Sequence, residues 1–170
     1  MKLIKFLDQK GTSLVSEPLN QTILKKLVAS EQSISDLSSE LKQPTLKLWR
    51  RMQRLLAANL VELSRTEKVG NIEKKLYRAT ATSYVPQKFL EFKPKDANLQ
   101  EAFEIYSEIQ KKIIANVSRF NEVPKATYPI DFALYASMQA FAQVCSEPAT
   151  QAKLAQLEEK LAIYKKQVTE

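Results

Sequence analysis

Two hydrophobic rhythms run along this chain. Across residues 18–58 apolar side chains recur every three or four positions, the spacing of one face of a helix. Across 60–77 they shift toward every second position, the spacing of one face of a strand, and from residue 99 onward the helical rhythm returns.

Taken in order, residues 2–16 (KLIKFLDQKGTSLVS) hold two short apolar runs around Asp8-Gln9-Lys10-Gly11. That sequence suits a turn with Gly11 at positive φ, so a small hairpin is expected, with an arm or a short helix as the alternatives. Next, Pro18 fits the first turn of a helix that places Leu19, Ile23, Leu24 and Leu27 on one face. SISDLSSELKQ predicts a second, short helix with Ser35 as N-cap and Ile34, Leu37 and Leu41 inward. Pro44 stops it by pushing Gln43 out of the helical region. A third helix is predicted over residues 45–58, with Asn59 as its left-handed C-terminal cap. LVELSRT then alternates as a strand, with Leu60 or Val61 and Leu63 facing inward. A turn at Gly70-Asn71 and a return strand anchored by Ile72, Leu76 and Tyr77 complete a hairpin.

Pro86 and Pro94, with several Lys, mark residues 86–97 as a connector, so a domain over 1–85 and a helical one over 98–170 are expected. In the latter, Leu99, Phe103, Tyr106, Ile109, Ile113 and Val117 keep helical spacing. IDFALYASMQAFAQVCSE is apolar nearly all round and is expected to be buried. After Pro148, Leu154, Leu157, Leu161, Tyr164 and Val168 step by three and four, a heptad seam that would pair with a second subunit or fold back onto the chain's own helices. Phe103, Tyr106, Phe132, Tyr135 and Phe141 are candidates to line an effector cavity, although plain core packing is the commoner use of such residues.

Composition narrows the chemistry. The chain has 170 residues, no His and a single Cys, Cys145, in an apolar helical stretch where a small core residue is expected and a redox-reactive thiol is the alternative. A Ser-His-Asp or Cys-His catalytic group cannot be assembled, and a zinc site lacks ligands. No paired-carboxylate or Gly-rich phosphate motif stands out, so the expectation is a non-enzyme with no cofactor and no metal. The N-terminal stretch is a poor signal peptide and no apolar run is long enough for a membrane span, so a cytoplasmic, nucleoid-associated protein without a membrane partner is expected.

Charge adds the decisive element. The net charge is +7, and residues 42–78 alone carry ten Lys/Arg against three Asp/Glu. Such a window is the footprint of a polyanion-binding surface. On the third helix, Leu48, Met52 and Leu55 form the inward stripe. At about 100° per residue, Arg50 points almost directly away from it, with Lys47, Gln53 and Arg54 on the same side and Trp49 and Arg51 on the flanks. A helix fits the DNA major groove, where Arg, Lys and Gln hydrogen-bond base edges. Arg50 is therefore the first candidate base reader, followed by Lys47 and Gln53. Arg51 and Arg54 are candidate phosphate contacts, and Trp49 would pack on the sugar-phosphate edge or serve as a boundary residue. A short helix, a tight turn and a basic helix form a helix-turn-helix, and the hairpin adds a wing over 66–75 carrying Lys68, Asn71, Lys74 and Lys75 toward the adjacent backbone or minor groove.

EPLNQTILKKL, SISDLSSEL and LKLWRRMQRLLAANLVEL, within residues 16–80, together resemble the winged helix-turn-helix of ArsR-like transcriptional regulators, a pattern that MarR- and PadR-like proteins share. The resemblance implies that Lys47, Trp49, Arg50 and Gln53 contact DNA. Three departures stand out: Asn59 replaces the usual Gly, Pro44-Thr45 replaces a Ser-rich turn, and the Cys and His motifs of metal sensors are missing. The expected fold is thus mainly α, a winged helix-turn-helix domain followed by a helical dimerisation region. The expected function is a homodimeric, sequence-specific regulator bound to double-stranded DNA. An architectural DNA-binding protein with little sequence preference and a winged-helix protein-interaction module are the alternatives.

Overall fold

The computed structural model describes residues 1–70 and 72–169; Asn71, Glu170 and the side chains of residues 69, 72, 89, 90 and 167–169 lie outside the described set. The chain is mainly helical and divides into two compact units. The first takes Met1–Pro86 and returns for Glu122–Ala133, and the second takes Gln87–Asn121 and the chain from Leu134 onward.

The first unit is a winged helix-turn-helix. It opens with strand β1 (Lys2–Leu7), which pairs in parallel with β4 (Ala81–Pro86), Lys2 lying opposite Ala81 and Leu7 opposite Pro86. No hairpin forms between residues 2 and 16. Instead, Asp8 caps helix α1 (Gln9–Ser16), its carboxylate accepting the Gly11 N–H at 2.7 Å. Gly11 is therefore inside a helix rather than at a positive-φ turn. A Cβ there would stand 3.1 Å from Asp8 Oδ1 and 3.3 Å from Leu7 Cδ2, so glycine allows the cap to close against the strand.

Helix α2 (Pro18–Ala29) has Pro18 at its first turn, where the missing N–H costs nothing. It buries Ile23, Leu24 and Leu27, while Asn20, fully enclosed, donates from Nδ2 to the Leu14 carbonyl at 2.9 Å. Helix α3 (Ile34–Leu41) starts at a different cap from the expected one. Ser33, not Ser35, closes a reciprocal capping box: its Oγ accepts the Asp36 N–H at 3.2 Å and the Asp36 carboxylate accepts the Ser33 N–H at 3.0 Å. Lys42, at φ 50°, ends α3, and Pro44 leads into α4 (Thr45–Ala57). Asn59 takes the left-handed conformation (φ 55°) expected of it, and the Leu60 N–H returns to the Leu55 carbonyl at 2.9 Å.

Strand β2 (Val61–Val69) and strand β3 (Ile72–Ala79) form the antiparallel wing, with Val61 opposite Ala79 at its base and Gly70 at φ 63° in its tip. Gln32 adds a short rung, exchanging backbone hydrogen bonds with Tyr77 at 3.0 and 2.9 Å. Leu60, Val61, Tyr77 and Ala79 join the helical core. Leu63 does not: contrary to expectation it is exposed, just ahead of the register shift between Leu63 and Arg65, although Tyr77 opposite it is buried. The segment Glu122–Ala133 closes this unit, with the Val123 N–H on the Met1 carbonyl at 3.1 Å and Ile130 against the core.

In the second unit a 3₁₀ turn (Gln87–Glu91) precedes α5 (Ala97–Ser118), capped by Asp96 through the Leu99 N–H at 3.0 Å. Helix α6 (Pro129–Ser146) and helix α7 (Pro148–Thr169) follow. Ion pairs Glu101–Lys160, Glu108–Lys153 and Lys112–Glu147 join α5 to the α7 end of the chain, the partner number falling as the α5 number rises, so α5 and α7 run antiparallel. The heptad helix thus folds back onto its own chain, with Leu154, Leu157 and Tyr164 half-buried and Leu161 exposed, and Val168 outside the described side chains. The expectation that α6 is buried all round is not met. Only its small stripe of Ala136, Ala140 and Val144 is enclosed, and Leu134, Tyr135, Met138 and Phe141 face outward. One stripe suffices for the packing that this unit offers, leaving the opposite face uncovered. Tyr135 and Phe141, two of the aromatic residues considered for an effector cavity, are exposed.

Candidate nucleic-acid interface

Helix α4 presents the site. Leu48, Met52 and Leu55 are wholly enclosed, each contributing about 1.5–3 kcal/mol of burial, so the rotation of the helix is fixed. Arg50, Lys47, Gln53 and Arg54 then emerge on the opposite side, Trp49 at 49% exposure and Arg51 half-buried on the flanks. Between α4 and the wing runs a groove of about 590 Å³, lined by Trp49 and Gln53 of α4, by Glu73, Lys74 and Lys75 of the wing, and by Ser35.

The cations of α4 and of the whole wing fall into two groups, a division that residue spacing does not reveal. Glu17, at the N-cap of α2 where a carboxylate is also favoured by the helix dipole, takes both Arg51 and Arg54, the latter at 3.1 Å. Lys74 meets Asp36 at 2.9 Å, Arg65 meets Glu31 at 2.8 Å and Glu67 at 2.9 Å, and Arg78 meets Glu62 at 2.6 Å. The carboxylates are shaped by this arrangement. Asp36 is held below its ordinary pKa by the Lys74 hydrogen bond and then by the Ser33 N–H and hydroxyl. Glu31 is held below by the Ser64 hydroxyl first, against an opposing effect of burial, and by Arg65.

Arg50, Lys68 and Lys75, by contrast, have no side-chain ion pair or hydrogen bond with any described residue, and Lys47 donates only to the neutral Gln43 side chain at 2.9 Å. Uncompensated positive charge is therefore concentrated along the outward edge of α4 and on the wing. Asn71, the remaining candidate, lies outside the described residues. Two residues were missed in the sequence reading. Leu46, 60% exposed, lies about 200° round α4 from Leu48, so the helical wheel alone places it outward. Ser35, whose hydroxyl lies 2.7 Å from the Ser33 hydroxyl, lines the groove, which no local spacing could show.

Among the described residues no helix is long and apolar enough to cross a membrane, and no three or more His, Cys, Asp or Glu side chains are grouped to hold a metal ion. No family model matches the chain, and no curated protein matches it. Among solved structures it is similar to Bacillus subtilis PadR in complex with operator DNA, at 16% identity over 83% of this chain and 98% of that one, with a TM-score of 0.35. So distant a likeness transfers nothing, and the functional reading rests on the geometry above.

Proposed function

We propose that this protein is a sequence-specific transcriptional regulator that binds double-stranded DNA as a homodimer, with α4 in the major groove and the wing over 66–75 on the adjacent backbone or minor groove. The ArsR-like pattern of residues 16–80 supports a place among winged-helix regulators that lack metal ligands. One observation carries the reading: Arg50 is exposed and has no partner among the described residues, on a helix whose rotation is locked by Leu48, Met52 and Leu55. A guanidinium fixed at the crest of a helix can donate to two acceptors on a guanine edge without reorganisation. The test is selection of bound duplexes from a genomic pool, followed by mobility shifts with wild type and Arg50→Ala. Arg50→Ala is expected to lose about 1–3 kcal/mol on the selected site; equal binding by the two proteins would refute the assignment.

Dimerisation is supported by the outward face of α6. Leu134, Met138 and Phe141, at i, i+4 and i+7, form a continuous apolar row of the kind that a second copy covers by two-fold symmetry. Two α4 helices about 34 Å apart would then read half-sites one helical turn apart.

A second reading has its own support. Leu46 and Trp49 are large, apolar and exposed on the same face. Aromatic anchors of this kind also mark protein interfaces, so an acidic protein partner is the competing occupant. Salt-dependent duplex binding separates the two readings, since the protein-interaction module predicts none.

A further inference from the structure

A separate cation cluster lies at the base of the wing. There β1 supplies Lys2 and Lys5, the α4–β2 turn supplies Asn59, the wing base supplies Glu62 and Arg78, and the closing segment supplies Glu122 and Lys125, around a concavity of about 360 Å³. The wing's register runs from Val61–Ala79 at this end to Val69–Ile72 at the other, so the hollow stands about 25 Å from the tip.

Its charges do not balance. Arg78 and Glu62 neutralise each other at 2.6 Å. That leaves Lys2, Lys5 and Lys125 against Glu122 alone, an excess of two positive charges on exposed and half-buried side chains lining the hollow. The Lys5 ammonium donates to the Asn59 carbonyl, which anchors it on the rim. Burial first, and then the neighbouring Lys2 charge, hold Lys5 below its ordinary pKa, against the opposing effect of Glu62. A volume of this size suits a small metabolite.

We infer that this pocket binds a small multivalent anion, a phosphate ester or a polycarboxylate, with Lys2, Lys5 and Lys125 as charge-assisted donors. Such donors are the strong kind of hydrogen bond, and two negative charges on the ligand would cancel the excess. Arg78 stays engaged with Glu62 and shapes the wall, and Glu122 weakens the site by repulsion. The inference is independent of DNA binding.

The test is calorimetric titration of the full chain with inorganic phosphate and, separately, with citrate, at ionic strength held constant by chloride. Saturable binding of at least one anion, at one per chain, is expected. Phosphate alone would assign the site to phosphate esters and citrate alone to polycarboxylates. Lys5→Gln and Lys125→Gln should each weaken binding at least tenfold, Glu122→Gln should tighten it, and Arg50→Ala should leave it unchanged. Three results would each overturn the proposal: no saturable heat with either anion, wild-type affinity in both lysine variants, or loss of binding in Arg50→Ala.

Discussion

The ε-ammonium of Lys74 lies 2.9 Å from the Asp36 carboxylate, which ties the wing to the first turn of α3. Asp36 is also the reciprocal member of the Ser33 capping box, so a single carboxylate serves a helix start and a strand at once. Its folded pKa is depressed, so its contribution to stability is present above the ordinary carboxylate range and is lost as pH falls through the folded value. The stability gap between wild type and Asp36→Asn, measured by urea unfolding, should therefore be largest near neutral pH and close on acidification. A gap independent of pH would show that the pair contributes nothing through ionisation. Glu31, depressed in the same direction, adds a second acid-sensitive contribution that persists in Asp36→Asn.

The division of cations predicts unequal salt dependence. Lys68→Ala and Lys75→Ala remove charges with no partner among the described residues, and each should lower the slope of log affinity against log salt by about 0.9. Lys74→Ala should lower it less, because Asp36 already takes part of that charge. Equal slopes for all three variants would mean that the ion pair opens on binding.

Arg54 provides a further contrast with Arg50. Since Glu17 holds Arg54 and Arg51, Glu17→Gln should release two guanidinium groups and strengthen DNA binding non-specifically, with a steeper salt slope. Mobility shifts on random-sequence duplex check this; unchanged affinity would indicate that neither arginine reaches a phosphate.

The α6 face predicts a change of assembly. Met138→Lys places a charge in the middle of the apolar row, and sedimentation should show a dimer becoming a monomer with helical content retained. A monomeric wild type would remove the case for dimerisation through this face.

Much of the first unit was legible because its helices are amphipathic and its breaks are chemical: Pro18, Pro44 and Asn59 act where local sterics say they should. The α3 cap was displaced from Ser35 to Ser33 because three serines lie within six residues and only the Asp36 partnership selects among them. Strand β4 was not legible at all. ATSYVP pairs with a strand almost eighty residues earlier, and local periodicity carries no signal for a parallel partner at that distance. Gly11 read as a turn because glycine's two uses, left-handed backbone and close approach, look identical in sequence. The outward direction of Arg50 followed from the wheel, but the pairing of Arg51 and Arg54 with Glu17 needed the fold.

The return of residues 122–133 to the first unit has a bearing on how the protein is made. Ile130 completes a core whose other members precede residue 86, and Val123 latches the backbone of Met1. During synthesis the winged portion must therefore wait, unfinished at one edge, until α5 has left the ribosome. Premature termination within α5 would release a product whose buried core, Leu7 to Ala79, lacks the cover of Ile130 along that edge.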